Sequence, residues 1–268
     1  MHEELEDKVQ ILARWIKESN RIVFFGGAGV SEESGIKTFR GKNGLYNEKM
    51  GTNRNISTES GIPDFRSVDG LYNQKFEYPP EEIISHSFYL RDPSYFFRFY
   101  REKMMPLGFE PNVTHRTLAQ WEQDGKLLGI VTQNIDGLHQ KAGSKKVYEL
   151  HGSVLRNYCV KCGKFHAAEF VKNHPDIPRC ECGGIVKPDV VLYEESLDGD
   201  TIDGAVAAIA NADLLIVAGT SLTVYPAASL VNYYRGNRMV LINRDSTPFD
   251  YHADLVFHRS LGDIFSEL

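Results

Sequence analysis

The chain has 268 residues, 42% of them hydrophobic and 25% charged, with a net charge of −6. That length holds one large domain, or a large domain with a small module, and the acidic balance excludes a nucleic-acid binder that works by neutralising phosphates. No apolar run reaches the ~20 residues needed to span a bilayer, and the acidic start at residues 1–8 lacks the apolar segment of a signal peptide, so the expectation is a soluble, cytoplasmic protein with no membrane contact.

Leu5, Val9, Leu12 and Ile16 recur at helical spacing and predict an amphipathic helix over 3–18. Residues 21–25 read as a buried strand that runs into the glycine-rich turn 26–31. The segment 79–107, with Pro79-Pro80 and the aromatic run 95–100, reads as a helical insertion. Further strands are expected at 127–132, 147–150, 213–218, 238–243 and 254–257, and helices at 114–124, 202–210, 226–235 and 261–267. Short apolar strands alternating with helices imply an α/β fold, a doubly wound parallel sheet with helices on both faces.

Ligands of such sheets bind beyond the carboxyl ends of the strands. Four candidate segments fall there: 26–31, 132–136, 219–221 and 243–245. The turn Gly27-Ala28-Gly29-Val30-Ser31 suits backbone N–H groups facing a phosphate, although it is not the G-x-G-x-x-G dinucleotide fingerprint. Gly219, Thr220 and Ser221 place small and hydroxylated groups where phosphate or ribose approaches, and Asn243 is placed to hydrogen-bond a ribose. Taken singly, each has a plain structural alternative in a tight turn or a helix cap.

All four cysteines stand in one cluster, Cys159-x2-Cys162 and Cys180-x-Cys182. In a reducing compartment this near-match to the paired-knuckle pattern points to one structural zinc with four thiolate ligands; free or redox thiols and disulfides are the alternatives. The chain also repeats itself. Ser31-Glu-Glu-Ser-Gly-Ile-Lys-Thr-Phe-Arg40 returns as Ser57-Thr-Glu-Ser-Gly-Ile-Pro-Asp-Phe-Arg66, and 43–47 returns as 69–73. Two copies are too few for a solenoid, so a local duplication is expected.

Together with Thr132-Gln-Asn-Ile-Asp-Gly-Leu-His139, His151-Gly152 and Lys187-Pro-Asp-Val-Val-Leu192, these motifs resemble the sirtuin family of NAD-dependent protein-lysine deacylases over nearly the whole chain. The resemblance implies a Rossmann-like NAD-binding domain made of 1–66, 108–156 and 188–268. It also implies a smaller domain, with a helical part at 67–107 and a zinc-ribbon module at 157–187. NAD and an acylated-lysine peptide would meet between the two. His151 takes the place of the catalytic base, which suits an imidazole because its ordinary pKa of ~6.5 lies near neutrality. Asn134 and Asp136 stand as polar groups of the nicotinamide pocket, with Ile135 beside them and Gln133 toward the ribose. His139 is read as structural. Phe65 resembles the ring that shields the reactive ribose carbon from water, Arg66 the group that holds the cofactor loop, and Thr58 and Asp64 lie on that loop. Val190, Val191 and Leu192 resemble the strand that pairs with substrate backbone.

The repeat is the departure from the family, which has one such segment. The second copy carries the deacetylase-like Pro63-Asp64 and is favoured here as the cofactor loop, with 32–57 as an inserted duplicate; Phe39 and Arg40 of the first copy are the alternative. The expected activity is NAD-consuming removal of acyl, chiefly acetyl, groups from protein lysines by a monomer. The repeat leaves open a catalytically weak NAD or ADP-ribose-binding regulator, or a protein mono-ADP-ribosyltransferase.

Overall fold

A computed structural model describes residues 2–39, 44–47 and 76–268. Its main sheet has six strands, all parallel. In chain order the strands are β1 (Ile22–Gly26), β2 (Leu127–Thr132), β3 (Val147–Glu149), β4 (Gly152–Cys159), β5 (Phe165–Ala167), β6 (Val186–Val190), β7 (Leu214–Ala218), β8 (Met239–Ile242) and β9 (Leu255–Phe257). The six-stranded order is β3-β2-β1-β7-β8-β9, the doubly wound arrangement of Rossmann folds.

The apolar runs are uninterrupted because both sheet faces are covered. Ile22 and Phe24 of β1 join Leu214, Ile216, Val240 and Ile242 in one buried cluster, with Leu12 and Ile16 of the helix His2–Glu18. Val23, Phe25, Leu215, Val217 and Leu241 point the other way, against Ala205 and Ile209 of the helix Gly199–Asn211. Strand periodicity thus sends alternate residues to two cores.

The element boundaries follow local chemistry. The helix expected at 202–210 begins at Gly199 because the Asp198 carboxylate accepts the Thr201 N–H at 2.8 Å. The segment expected as a helix at 226–235 winds instead as a 3₁₀ helix, Ala227–Tyr233. The insertion is broken into short helices, His86–Arg91 and Pro93–Phe99, capped by Ser85 and Asp92, and closes in a π-helical turn, Tyr100–Met104.

A second sheet, β5-β4-β6, is antiparallel. Its strands run past the 157–187 limits expected for the cysteine module, since Gly152 pairs with Val190. Its buried Val154, Val186 and Val190 share a third core with Phe88, Phe96, Phe97 and Tyr100 of the helical insertion. Among the described residues no helix is long and apolar enough to cross a membrane.

Candidate active site

β1 and β7 are neighbours at the centre of the sheet, where the strand order reverses and a crevice opens beyond the carboxyl ends. Two turns meet there. Gly27 N–H donates to the Ala218 carbonyl at 3.1 Å and Gly29 N–H to the Gly219 carbonyl at 2.8 Å. Gly219 has φ +60°, and a Cβ on it would lie 2.6 Å from the Val30 nitrogen; one on Gly29 would lie 2.8 Å from Gly219 Cα. Only glycine lets the two backbones approach this closely.

The crevice continues into a cleft of about 650 Å³ between the two sheets. Ala28, Gly29, Gly219, Thr220, Ser221 and Asn243 line the end beyond the main sheet. Gln133, Asn134, Ile135 and His151 line its middle, and Val190, Val191 and Leu192 the side formed by the strand after the cysteine module. Gly27 and Asp136 lie behind the wall rather than on it. Thr58, Asp64, Phe65 and Arg66, together with Arg40, lie outside the described residues.

His151 is held by one bond that decides its chemistry. Its Nδ1 lies 2.9 Å from the Gln133 carbonyl oxygen. A carbonyl only accepts, so Nδ1 carries the proton and Nε2 presents a lone pair. Burial lowers the pKa of the ring, and the bond to Gln133 opposes that in part, so the imidazole is a neutral base near pH 7. The next residue, Gly152, has φ +72°, and a Cβ there would fall 1.9 Å from the Asp189 carbonyl oxygen. Glycine there lets β4 leave directly against β6, and the Val191 N–H donates back to the His151 carbonyl at 3.0 Å.

Asn134 and Asp136 are tied together through Ser31. The Asn134 amide donates to Ser31 Oγ at 3.0 Å, and that hydroxyl donates to the Asp136 carboxylate at 2.7 Å. The other carboxylate oxygen accepts the Leu138 N–H at 2.8 Å. Burial raises the Asp136 pKa against these two bonds. Asp136 therefore acts on the cleft by orienting Ser31 and Asn134. Gln133 is set by its amide donating to Thr220 Oγ1 at 3.2 Å. His139 is buried against Phe24 and His115, away from the cleft.

Several cleft residues were not singled out from the sequence. Ile84 and Met104 bring the helical insertion to the wall, and Thr38 and Tyr46 line it from the first repeat copy, beside the Phe39 that the sequence offered as the alternative ring. Glu32 pairs with Arg244 at 3.1 Å, and the Tyr46 and Tyr193 hydroxyls lie 3.0 Å apart. The partners are distant in sequence, so no local spacing announces them.

The cysteine cluster lies at the far end of β4 and β6. All four Sγ atoms lie within 4.8 Å of one another. The Cys159–Cys182 and Cys162–Cys180 sulfurs stand 3.4 and 3.7 Å apart, far beyond a disulfide bond of ~2.05 Å. These separations fit a tetrahedral zinc with bonds of ~2.3 Å to four thiolates.

The Sir2 family model matches residues 53–226. The chain belongs to the Sir2 family. It is 52% identical over 266 residues to an NAD-dependent protein deacetylase of Clostridium perfringens, covering 98% of this chain and 99% of that protein. A relative of the same description from Clostridium acetobutylicum is 52% identical over 262 residues, covering 97% of each. Among solved structures, a Sir2–p53 peptide–NAD+ complex superposes with a TM-score of 0.75 at 33% identity, covering 95% of this chain and 94% of that one. A Sir2 protein bound to a propionylated peptide gives 0.74 at 33%, covering 96% and 95%.

Proposed function

We propose that this Sir2-family chain is an NAD-dependent protein-lysine deacetylase, with the cleft between its two sheets as the active site. The observation that carries the reading is His151: a neutral imidazole with Nδ1–H committed to a backbone carbonyl and Nε2 directed to chemistry, on the wall of a cleft shared by the glycine turns and Val190–Leu192.

The residues present fit NAD. The glycine turns leave a cradle that a Cβ would fill, and Gln133, Thr220, Ser221 and Asn243 offer hydroxyls and amides to riboses and phosphates. When bound, NAD would supply an electrophilic ribose carbon and, with one water consumed, would carry the acyl group away as O-acyl-ADP-ribose while nicotinamide and free lysine leave. His151 Nε2 removes a ribose hydroxyl proton. Asn134, held by Ser31 and Asp136, presents its amide to the nicotinamide end. Val190–Leu192 offers backbone groups to an extended acyl-lysine peptide, and Ile84, Met104 and Leu192 give the acyl end an apolar wall. The four thiolates hold one zinc remote from this chemistry; with all four positions filled by sulfur, the metal supports the fold of β4–β6.

Mass spectrometry of acetyl-peptide turnover with and without NAD tests the reading. Deacetylated peptide, nicotinamide and O-acetyl-ADP-ribose should appear in equal amounts and only with NAD. Label retained on protein from NAD would favour mono-ADP-ribosyl transfer, and binding of NAD without turnover a regulatory role.

A further inference from the structure

The repeat offers the cleft two covers of one design, 31–47 and 57–73, offset by 57 − 31 = 26 residues. We propose that the first copy, through Phe39, covers the reacting end of the cleft in the full chain, and that Phe65 of the second copy does not. The inference rests on the cleft being the NAD and acyl-lysine site.

The first copy is built into the cleft. Thr38, Phe39 and Tyr46 line it together with Asn134, Ile135 and His151. The Phe39 and Tyr46 rings meet edge to face, 5.8 Å between centroids. Leu45 N–H donates to the Thr38 carbonyl at 2.9 Å and Tyr46 N–H to the Phe39 carbonyl at 3.0 Å, tying the two described stretches of this copy side by side. At its start, Ile36 N–H donates to the Ser31 carbonyl at 3.2 Å, and Glu33 accepts the Gly262 N–H at 2.8 Å. Its far end reaches the opposite wall, where the Tyr46 hydroxyl meets Tyr193, next to Leu192 of the peptide-pairing strand.

Chain connectivity does not choose between the copies. Whichever one takes the cleft, the other becomes a connection of the same length, so closure entropy cancels. Glu33, Phe39 and Tyr46 are matched by Glu59, Phe65 and Tyr72, while Lys37 and Thr38 are replaced by Pro63 and Asp64. Glu32 does not cancel. Its carboxylate pairs with Arg244, beside Asn243 on the cleft wall, and its counterpart Thr58 has no charge to offer. The difference favours the first copy.

A ring over the reacting carbon keeps water out until the acyl oxygen arrives. Without it, a water oxygen bonds to the ribose carbon as the bond to nicotinamide breaks, a proton is released, and ADP-ribose forms in place of O-acetyl-ADP-ribose. The ratio of these two products in the full-length protein therefore identifies the covering ring. Phe39→Ala should raise the ADP-ribose share by ~10-fold or more, Phe39→Leu should restore part of the coupling, and Phe65→Ala should leave the ratio as in wild type. An uncoupled Phe65→Ala with a wild-type-like Phe39→Ala overturns the proposal, as does an equal effect or no effect of both. Hydrogen exchange reads the same seating without turnover: the Leu45 and Tyr46 amides should exchange slowly in the free protein, and fast exchange overturns it. A wild-type chain that consumes no NAD with acetyl peptide would sink the deacetylase reading instead, leaving the exchange measurement to judge the seat.

Discussion

At the scale of single residues, the site depends on where two protons sit. The Nδ1 proton of His151 is committed to Gln133, so Nε2 is the only basic nitrogen the ring offers to the cleft. His151→Ala should lower kcat/KM by ~10²–10⁴-fold, the usual worth of a general base, with no loss of thermal stability beyond that of a neutral cleft substitution. Burial disfavours the cationic ring, so its pKa lies below the ordinary ~6.5. The working form is the neutral one, present above that pKa and lost as pH falls through it. The acid limb of kcat/KM should therefore be centred below pH 6.5; a limb above pH 7 would contradict the assignment. The second proton belongs to Ser31, donated to Asp136. Asp136→Asn sets an amide donor where a carboxylate accepted from both Ser31 and Leu138, which should cost about 1–3 kcal/mol of stability. It should also raise KM for NAD, because Asn134 leans on the same hydroxyl; an unchanged KM would remove Asp136 from the positioning chain.

At the scale of elements, the cysteines close a sheet too small to hold itself. β5 has no buried residue, and the far ends of β4 and β6 are joined by four sulfurs on two turns. One zinc per chain is the expected elemental content of reduced protein. Stripping it should melt the β5-β4-β6 sheet and lose activity with it, because Val191 hangs from His151 through the same strands. Hydrogen exchange across β4 and β6 checks this; unchanged protection after metal removal would refute it. The helix Pro93–Phe99 and the π-helical turn after it carry the side chains from which an acyl preference is expected. Phe97 and Tyr100 are fully buried in the small core. Arg98 lies over the Tyr95 ring, and Arg101 is spent on the Asp176 carbonyl and the Phe97 ring. Neither guanidinium lines the cleft, and an acyl carboxylate buried without a cationic partner costs several kcal/mol. Acetyl peptide should thus exceed succinyl peptide in kcat/KM by at least ~100-fold, which matched peptides will measure.

At the scale of the molecule, the sequence carries two copies of one segment, and the first lines the cleft. Deleting 32–57 would join Ser31 to Thr58 and leave Pro63-Asp64-Phe65-Arg66 as the only cover. That variant should deacetylate at least as fast as the full chain, and Phe65→Ala within it should acquire the water-uncoupled phenotype. A folded but inactive deletion would show that the second copy is not competent. The sequence by itself determined the parallel α/β core, because short uninterrupted apolar runs between helices have few other ways to be buried than as strands covered on both faces. It determined the thiol cluster as well, since paired cysteines at short spacing meet wherever their turns fold. The motifs around His151 and Asn134 were legible for a similar reason: each is a short run at a strand end, and strand ends face the crevice. Only the tertiary structure decided that Asp136 stands behind the wall. It alone set Tyr46 against Tyr193 and Glu32 against Arg244, with Phe39 packed on Tyr46. Those outcomes depend on groups up to 212 residues apart competing for one volume, and a chain read along its length carries no measure of that competition.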